Sequence, residues 1–213
     1  MSIKPKKSKT QNFYDRIAEV HHFALQINGY EKSVAKYLRS LDLQIDSDSV
    51  VLDAGSGTGI VSKGFYRAGF KPRKTIALDL SRNSLEVARK QVLKERSDVW
   101  DSICHVQGNV LSLPFEDAFF DTVLTCGVLE YIPLDEGLRE MARVLKPGSK
   151  LVLIPIKPSI VGSVLEFLYK FNAHPIKDVK RVAQKYFNVL GDFRFPITEP
   201  ISWSKMIFLL EKK

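Results

Sequence analysis

Cysteine is scarce in this chain of 213 residues: Cys104 and Cys126 are the whole complement, with no Cys-x-x-Cys pair and no histidine–cysteine cluster nearby. That scarcity excludes a disulfide scaffold, argues against a structural zinc site and suits a reducing, cytoplasmic compartment. Long apolar runs are missing too. Nothing approaches the ~20 consecutive apolar residues of a membrane-spanning helix, and no apolar segment follows the opening lysines as it would in a secretory signal. No stretch repeats at a period of roughly 20–50 residues, which argues against solenoids and propellers. What remains is ordinary globular usage, 45% hydrophobic and 26% charged, which is too apolar for intrinsic disorder.

Acids are absent from Met1–Thr10, where Lys4, Lys6, Lys7 and Lys9 supply half of the net charge of +8. Residues 1–10 are therefore expected to be a flexible basic tail, suited at most to peripheral contact with an acidic or membrane surface. The rest of the chain is only mildly basic, so it demands no compact face for nucleic acid.

Residues 11–213 read as one domain, because no linker divides them. Short apolar runs at Val50–Leu52, Thr75–Leu78, Ile103–Val106, Asp121–Thr125 and Leu151–Ile154 alternate with helical patterns. The runs lack a polar face, as strands do when helices cover both sides of a parallel sheet. Ser81 is placed to cap a helix that buries Leu85, Ala88 and Val92, and Asp135 to cap one that Lys146-Pro147-Gly148 ends. Two late strands fall near Phe193 and Met206–Leu210. The expected fold is α/β: a doubly wound, mostly parallel sheet of seven strands. Helices occupy 11–48, a βα core 49–156, and further helices with the last strands 157–213. The helix spanning Ser159–Phe171 is apolar around most of its circumference, so it is either a core helix or a roof over an apolar acceptor.

The informative stretch is Asp53-Ala54-Gly55-Ser56-Gly57-Thr58-Gly59, a glycine-rich turn between a strand and a helix. Such a turn lets backbone N–H groups approach a ligand closely. A dinucleotide fingerprint starting at Gly55 would need its third glycine where Ile60 stands, and no Lys-Ser/Thr pair follows for a P-loop. A nicotinamide oxidoreductase is disfavoured accordingly. Asp79 ends the next strand, twenty residues beyond Gly59, where a carboxylate can accept from ribose hydroxyls.

This pattern resembles motif I of the class I S-adenosylmethionine-dependent methyltransferases, specifically the small-molecule (methyltransferase domain 11) type. Gly108-Asn109-Val110 with Leu113-Pro114-Phe115, and Met141-Ala142-Arg143-Val144-Leu145-Lys146-Pro147-Gly148, are similar to later motifs of that family. Phe13-Tyr14-Asp15 resembles its entering helix. The resemblance implies S-adenosyl-L-methionine as cofactor, with Asp53, Gly55, Ser56, Gly57 and Gly59 around its amino-acid end. It further implies Asp79 on the ribose, Leu80 against the adenine, Asn109 and Val110 at the adenine edge, and Cys126 beside the methionine end. The family commonly has aspartate where Asn109 stands, though an amide oxygen can still accept from an amine. No Asn/Asp-Pro-Pro-Tyr segment follows the fourth strand, which counts against methylation of adenine or glutamine amides.

Methyl transfer from a sulfonium is an in-line displacement that rests mainly on alignment, so no catalytic base is demanded and none is assigned. Tyr14, His22 and Tyr131 are the expected acceptor-pocket residues, with His21 and Glu130 as further candidates near the mouth. A small, apolar or lipid-like acceptor is the expected substrate. The alternatives are a non-catalytic binding or scaffold protein of the same fold, and an RNA or protein methyltransferase.

Overall fold

The computed structural model describes residues 29–95, 97–169 and 171–213. Helix α1 (Tyr30–Ser40) precedes strand β1 (Val50–Ala54), and α2 (Ile60–Arg67) leads to β2 (Lys74–Asp79). Then come α3 (Arg82–Glu95), β3 (Ile103–Gln107), β4 (Phe120–Cys126), α4 (Leu134–Val144) and β5 (Leu145–Ile154). Helices α5 (Ile160–Tyr169) and α6 (Ile176–Ala183) are followed by β6 (Phe187–Phe193) and β7 (Ile207–Lys212). The strands form one seven-stranded sheet in the order β3-β2-β1-β4-β5-β7-β6. The first five run parallel, while β7 is antiparallel to both its neighbours. The order reverses between β1 and β4, which opens a crevice at their carboxyl ends.

Burial on both faces explains the missing alternation. Within β1, Val50, Leu52 and Ala54 enter one apolar cluster with Leu138 and Met141 of α4 and Val179 of α6, while Val51 enters the other with Val34, Leu38 and Phe65 of α1 and α2. Charge is also buried beneath this second layer. Lys63 is 1% exposed and lies 2.8 Å from Glu95 and 3.2 Å from Glu31, and Arg67 pairs with Glu31 as well. Burial opposes ionisation of Glu31, but Arg67 and Lys63 outweigh it and hold its carboxyl below the usual range.

The late motifs turn out to brace the crevice. The Arg143 guanidinium donates to the carbonyls of Leu113 and Phe115 and to the carboxylates of Asp117 and Glu140, tying α4 to the loop after β3. Asp121 takes the Val50 N–H at 2.8 Å and the Lys146 ammonium at 2.5 Å, joining the starts of β1, β4 and β5.

Several expectations need correction. Asp135 does not cap α4: the helix begins at Leu134 behind Pro133, and Asp135 instead accepts from Lys185 and the Tyr186 hydroxyl. That helix stops at Val144, and Lys146-Pro147-Gly148 belongs to the irregular start of β5. Helix α5 is not a core helix, because Gly162 is its only buried residue while Ile160 and Phe167 are 87% and 85% exposed. Ser81 does cap α3, accepting the Ser84 N–H at 3.1 Å. The expected tail, Tyr14, His21 and His22 lie outside the described residues.

Candidate functional site

The crevice holds a cavity of about 430 Å³, within the range of small-molecule sites. The glycine loop forms one side of it. Gly55 and Ser56 both donate their N–H groups to the Leu78 carbonyl, at 2.8 and 2.9 Å, which folds the loop back over the end of β2. The Asp79 carboxylate bridges two segments: one oxygen accepts the Gly57 N–H and the other the Ser81 N–H, each at 2.8 Å. It thereby ties the glycine loop to the start of α3 while still lining the cavity.

Two glycines of the loop are needed for different reasons. At Gly55 (φ +74°) a Cβ would overlap the Val128 side chain, so the position allows the loop to sit against the segment after β4. At Gly57 (φ +53°) a Cβ would meet no protein atom within 4 Å and would stand in open space. Beside it, Ser56 and Thr58 line the cavity, and their hydroxyl oxygens are buried with no hydrogen-bond partner. Buried hydroxyls without partners are uncommon, and a polar ligand in the loop's cradle would satisfy them. The residues present therefore fit a polar cofactor that lies along the loop.

Of the residues anticipated around that cofactor, Gly55, Ser56, Gly57, Asp79, Leu80, Asn109, Val110 and Cys126 line the cavity. Gly59 turns the chain into α2 with φ +81° and lies behind the lining. Asp53 is fully buried beneath the loop, outside the cavity wall, where its carboxylate accepts from the Ser62 hydroxyl at 2.5 Å. Burial, opposed by Ser62 and reinforced by the charge of Asp79, pushes Asp53 up to about 7. Its second oxygen has no partner. The Asn109 amide oxygen accepts the Leu111 N–H at 3.0 Å, the geometry of a turn, while the residue still faces the cavity.

Across the cavity the wall is apolar and comes from distant parts of the chain. Tyr131 stands there, its ring against Phe171 at 5.4 Å between centroids and its hydroxyl 3.4 Å from the Tyr169 carbonyl. Leu165 and Tyr169 show that α5 overhangs this side, as a roof would. Glu130 is buried behind the wall, where it accepts the Ile156 N–H at 2.5 Å. Sequence patterns missed Tyr30, Ile156 and Lys205, which also line the cavity. Each stands at the edge of an element, where periodicity says nothing about direction. Among the described residues no cluster of metal-ligating side chains occurs, and no helix is long and apolar enough to cross a membrane.

Comparison with known proteins agrees with this geometry. A family model described as a methyltransferase domain matches residues 52–153. The ubiquinone/menaquinone biosynthesis C-methyltransferase UbiE of Hahella chejuensis is 37% identical over 130 residues, covering 59% of this chain and 51% of that protein. The chain thus spans about half the length of the curated relatives it matches. In the solved structure of a complex between the Haloferax volcanii Trm112 methyltransferase activator and a methyltransferase, the matching chain superposes with a TM-score of 0.75 at 14% identity, with 99% of each chain covered. Geranyl diphosphate C-methyltransferase from Streptomyces coelicolor A3(2) superposes with a TM-score of 0.70 at 18% identity, covering 99% of this chain and 83% of the other.

Proposed function

Since residues 52–153 form a class I S-adenosylmethionine-dependent methyltransferase domain, we propose that the protein transfers a methyl group from S-adenosyl-L-methionine to a small, largely apolar acceptor. The observation that carries this reading is the loop's cradle: an open position at Gly57, flanked by the partnerless hydroxyls of Ser56 and Thr58 and closed by the Asp79 carboxylate. The cofactor, when bound, supplies an electrophilic methyl group on sulfur. The protein's own contribution is to hold and orient. Ser56 and Thr58 offer hydrogen bonds to the polar end of the cofactor, Asp79 can accept from its sugar, and Leu80 and Val110 offer apolar contact to its base. Placing two reactants in one geometry supplies much of the rate by itself, with effective molarities of ~10⁵ M or more.

The acceptor side is formed by Tyr131, Ile132, Ile156, Leu165, Tyr169 and Phe171. Such a wall excludes water and favours a hydrophobic body over a nucleotide or a charged peptide. The ubiquinone/menaquinone biosynthesis C-methyltransferase among the similar proteins supports a small-molecule acceptor. The chain is read as one domain, in which 49–156 is the cofactor-binding core and also carries Tyr131, Ile132 and Ile156 of the acceptor wall, while 157–213 adds the substrate-side helices and the last strands.

The test is incubation of the protein with cofactor labelled in its methyl group and with fractionated cell extract. Label should enter the lipid or aqueous small-molecule fraction. Label confined to the RNA or protein fraction would contradict the proposed acceptor class.

A further inference from the structure

Lys63 and Lys205 are both more than nine-tenths buried, yet their surroundings differ. Lys63 is neutralised by two carboxylates within 3.2 Å. Lys205 has no carboxylate within ion-pairing distance among the described residues, and it is the one that lines the cavity. It sits just before β7, its backbone bridged to Ile156 beyond the end of β5, with its ammonium nitrogen 3.1 Å from where a Cβ on Gly127 would stand. Its side chain donates to the Cys126 sulfur, a weak acceptor. The carboxylate whose charge it feels, Glu130, spends one oxygen on the Ile156 N–H and leaves the other buried and unbonded. Tyr30, whose hydroxyl lies 3.3 Å from Ser204 Oγ, lines the same cavity.

Burial on its own would lower the pKa of this ammonium, but the hydrogen bond to the Cys126 sulfur and the charge of Glu130 oppose that, and the net direction is upward. Burial holds the Cys126 thiol in its neutral form. A buried cation with no ion-pair partner among the described residues is costly unless something anionic meets it in the working state. We infer that Lys205 is an oxyanion-binding subsite for the methyl acceptor, which is accordingly an apolar molecule carrying one anionic oxygen, such as a phenolate or a carboxylate. The subsite rests on the methyltransferase reading above and adds a charge requirement to it. The apolar wall takes the body of the acceptor, and the ammonium fixes which end faces Gly127.

The test uses two matched probe pairs: 4-nitrophenolate against 4-nitroanisole, and octanoate against methyl octanoate. Binding of each is measured by calorimetry on the full chain saturated with S-adenosylhomocysteine. The native protein should bind at least one anionic probe about tenfold or more tightly than its neutral partner, the size of a charge-assisted hydrogen bond. Lys205→Met should erase that preference and leave S-adenosylhomocysteine affinity unchanged, whereas Lys205→Arg should retain part of it. The phenol and carboxylate arms tell which oxyanion fits. Equal binding of anionic and neutral probes by the native protein would overturn the subsite. So would a Lys205→Met variant that loses S-adenosylhomocysteine affinity instead, since Lys205 would then serve the cofactor. A variant with a lowered melting temperature and unaltered probe preference would make Lys205 a partner of Glu130 alone and overturn it equally. Failure of the native protein to bind S-adenosylhomocysteine at all is the distinct result that removes the underlying methyltransferase reading.

Discussion

The two sides of the cavity are made differently. The side formed after β1 and β2 is largely main chain, held by N–H groups of the consecutive residues Gly55 and Ser56 on the Leu78 carbonyl and of Gly57, with Ser81, on the Asp79 carboxylate. The opposite side is side chain, assembled from Tyr30, Tyr131, Ile156, Leu165, Tyr169, Phe171 and Lys205, which are scattered over 175 positions of sequence. Main-chain recognition needs glycine at set spacings and tolerates little change, whereas an apolar wall accepts many residues of suitable size. One side is thus suited to an invariant ligand and the other to an acceptor that can differ between proteins of the same fold.

Perturbing the first side should have the larger consequences. The largest concerns Asp53, the buried acid under the loop. Its folded-state value of about 7 exceeds the ordinary 3.8, so the folded protein binds the proton more tightly. This group's contribution to stability is therefore full at low pH and is lost as pH rises through about 7, on the order of 4 kcal/mol in all. His105 acts with the opposite sign, because burial, with the Arg89 charge adding, lowers it to about 4 and folding then favours its neutral form as pH rises. Urea denaturation of native protein and Asp53→Asn across this range isolates the acid. The native protein should lose stability relative to the variant with rising pH, and parallel profiles would mean that Asp53 is ionised throughout.

Next comes Gly55→Val. Its side chain would overlap Val128 and force a β-branched residue to φ +74°, a combined cost on the order of 3 kcal/mol. Thermal denaturation should show the loss. Asp79→Ala releases the Gly57 N–H and removes an acceptor from the cavity, and should weaken S-adenosylhomocysteine binding by about 1–3 kcal/mol in calorimetry. The smallest effect belongs to the second side. Leu165→Ala should weaken acceptor binding by about 1 kcal/mol while cofactor affinity stays the same. Equal losses of both affinities in that variant would erase the distinction between the two sides.

The same division governs what could be read in the sequence. The parallel sheet was legible because strands buried on both faces must be apolar throughout, and β1 shows all five residues buried. The glycine loop was legible because positive φ and open positions exclude side chains, which leaves a mark at fixed spacing. Asp79 and Ser81 could be found because they end a strand and start a helix. Helix α5 was ambiguous, since an apolar helix looks alike in a core or over a cavity, and only neighbouring elements decide. Lys205 carried no mark at all: a lone lysine ahead of an apolar strand is ordinary at a sheet edge, and its burial follows from the return of β7 beside β5. Asp135 misled because an acid in the first helical turn resembles a cap, while here its partners come from the segment after α6.

The most direct measurement is a calorimetric titration of S-adenosylmethionine into the native protein and into Gly57→Val. A Cβ at Gly57 would meet no protein atom within 4 Å beyond its chain neighbours, so this substitution fills the open space and strains the backbone at φ +53°. Saturable heat at one equivalent in the native protein, absent from the variant while its circular dichroism is retained, is the expected result. No heat from the native protein, or equal affinity in both, would contradict the assignment of the loop as the cofactor's cradle.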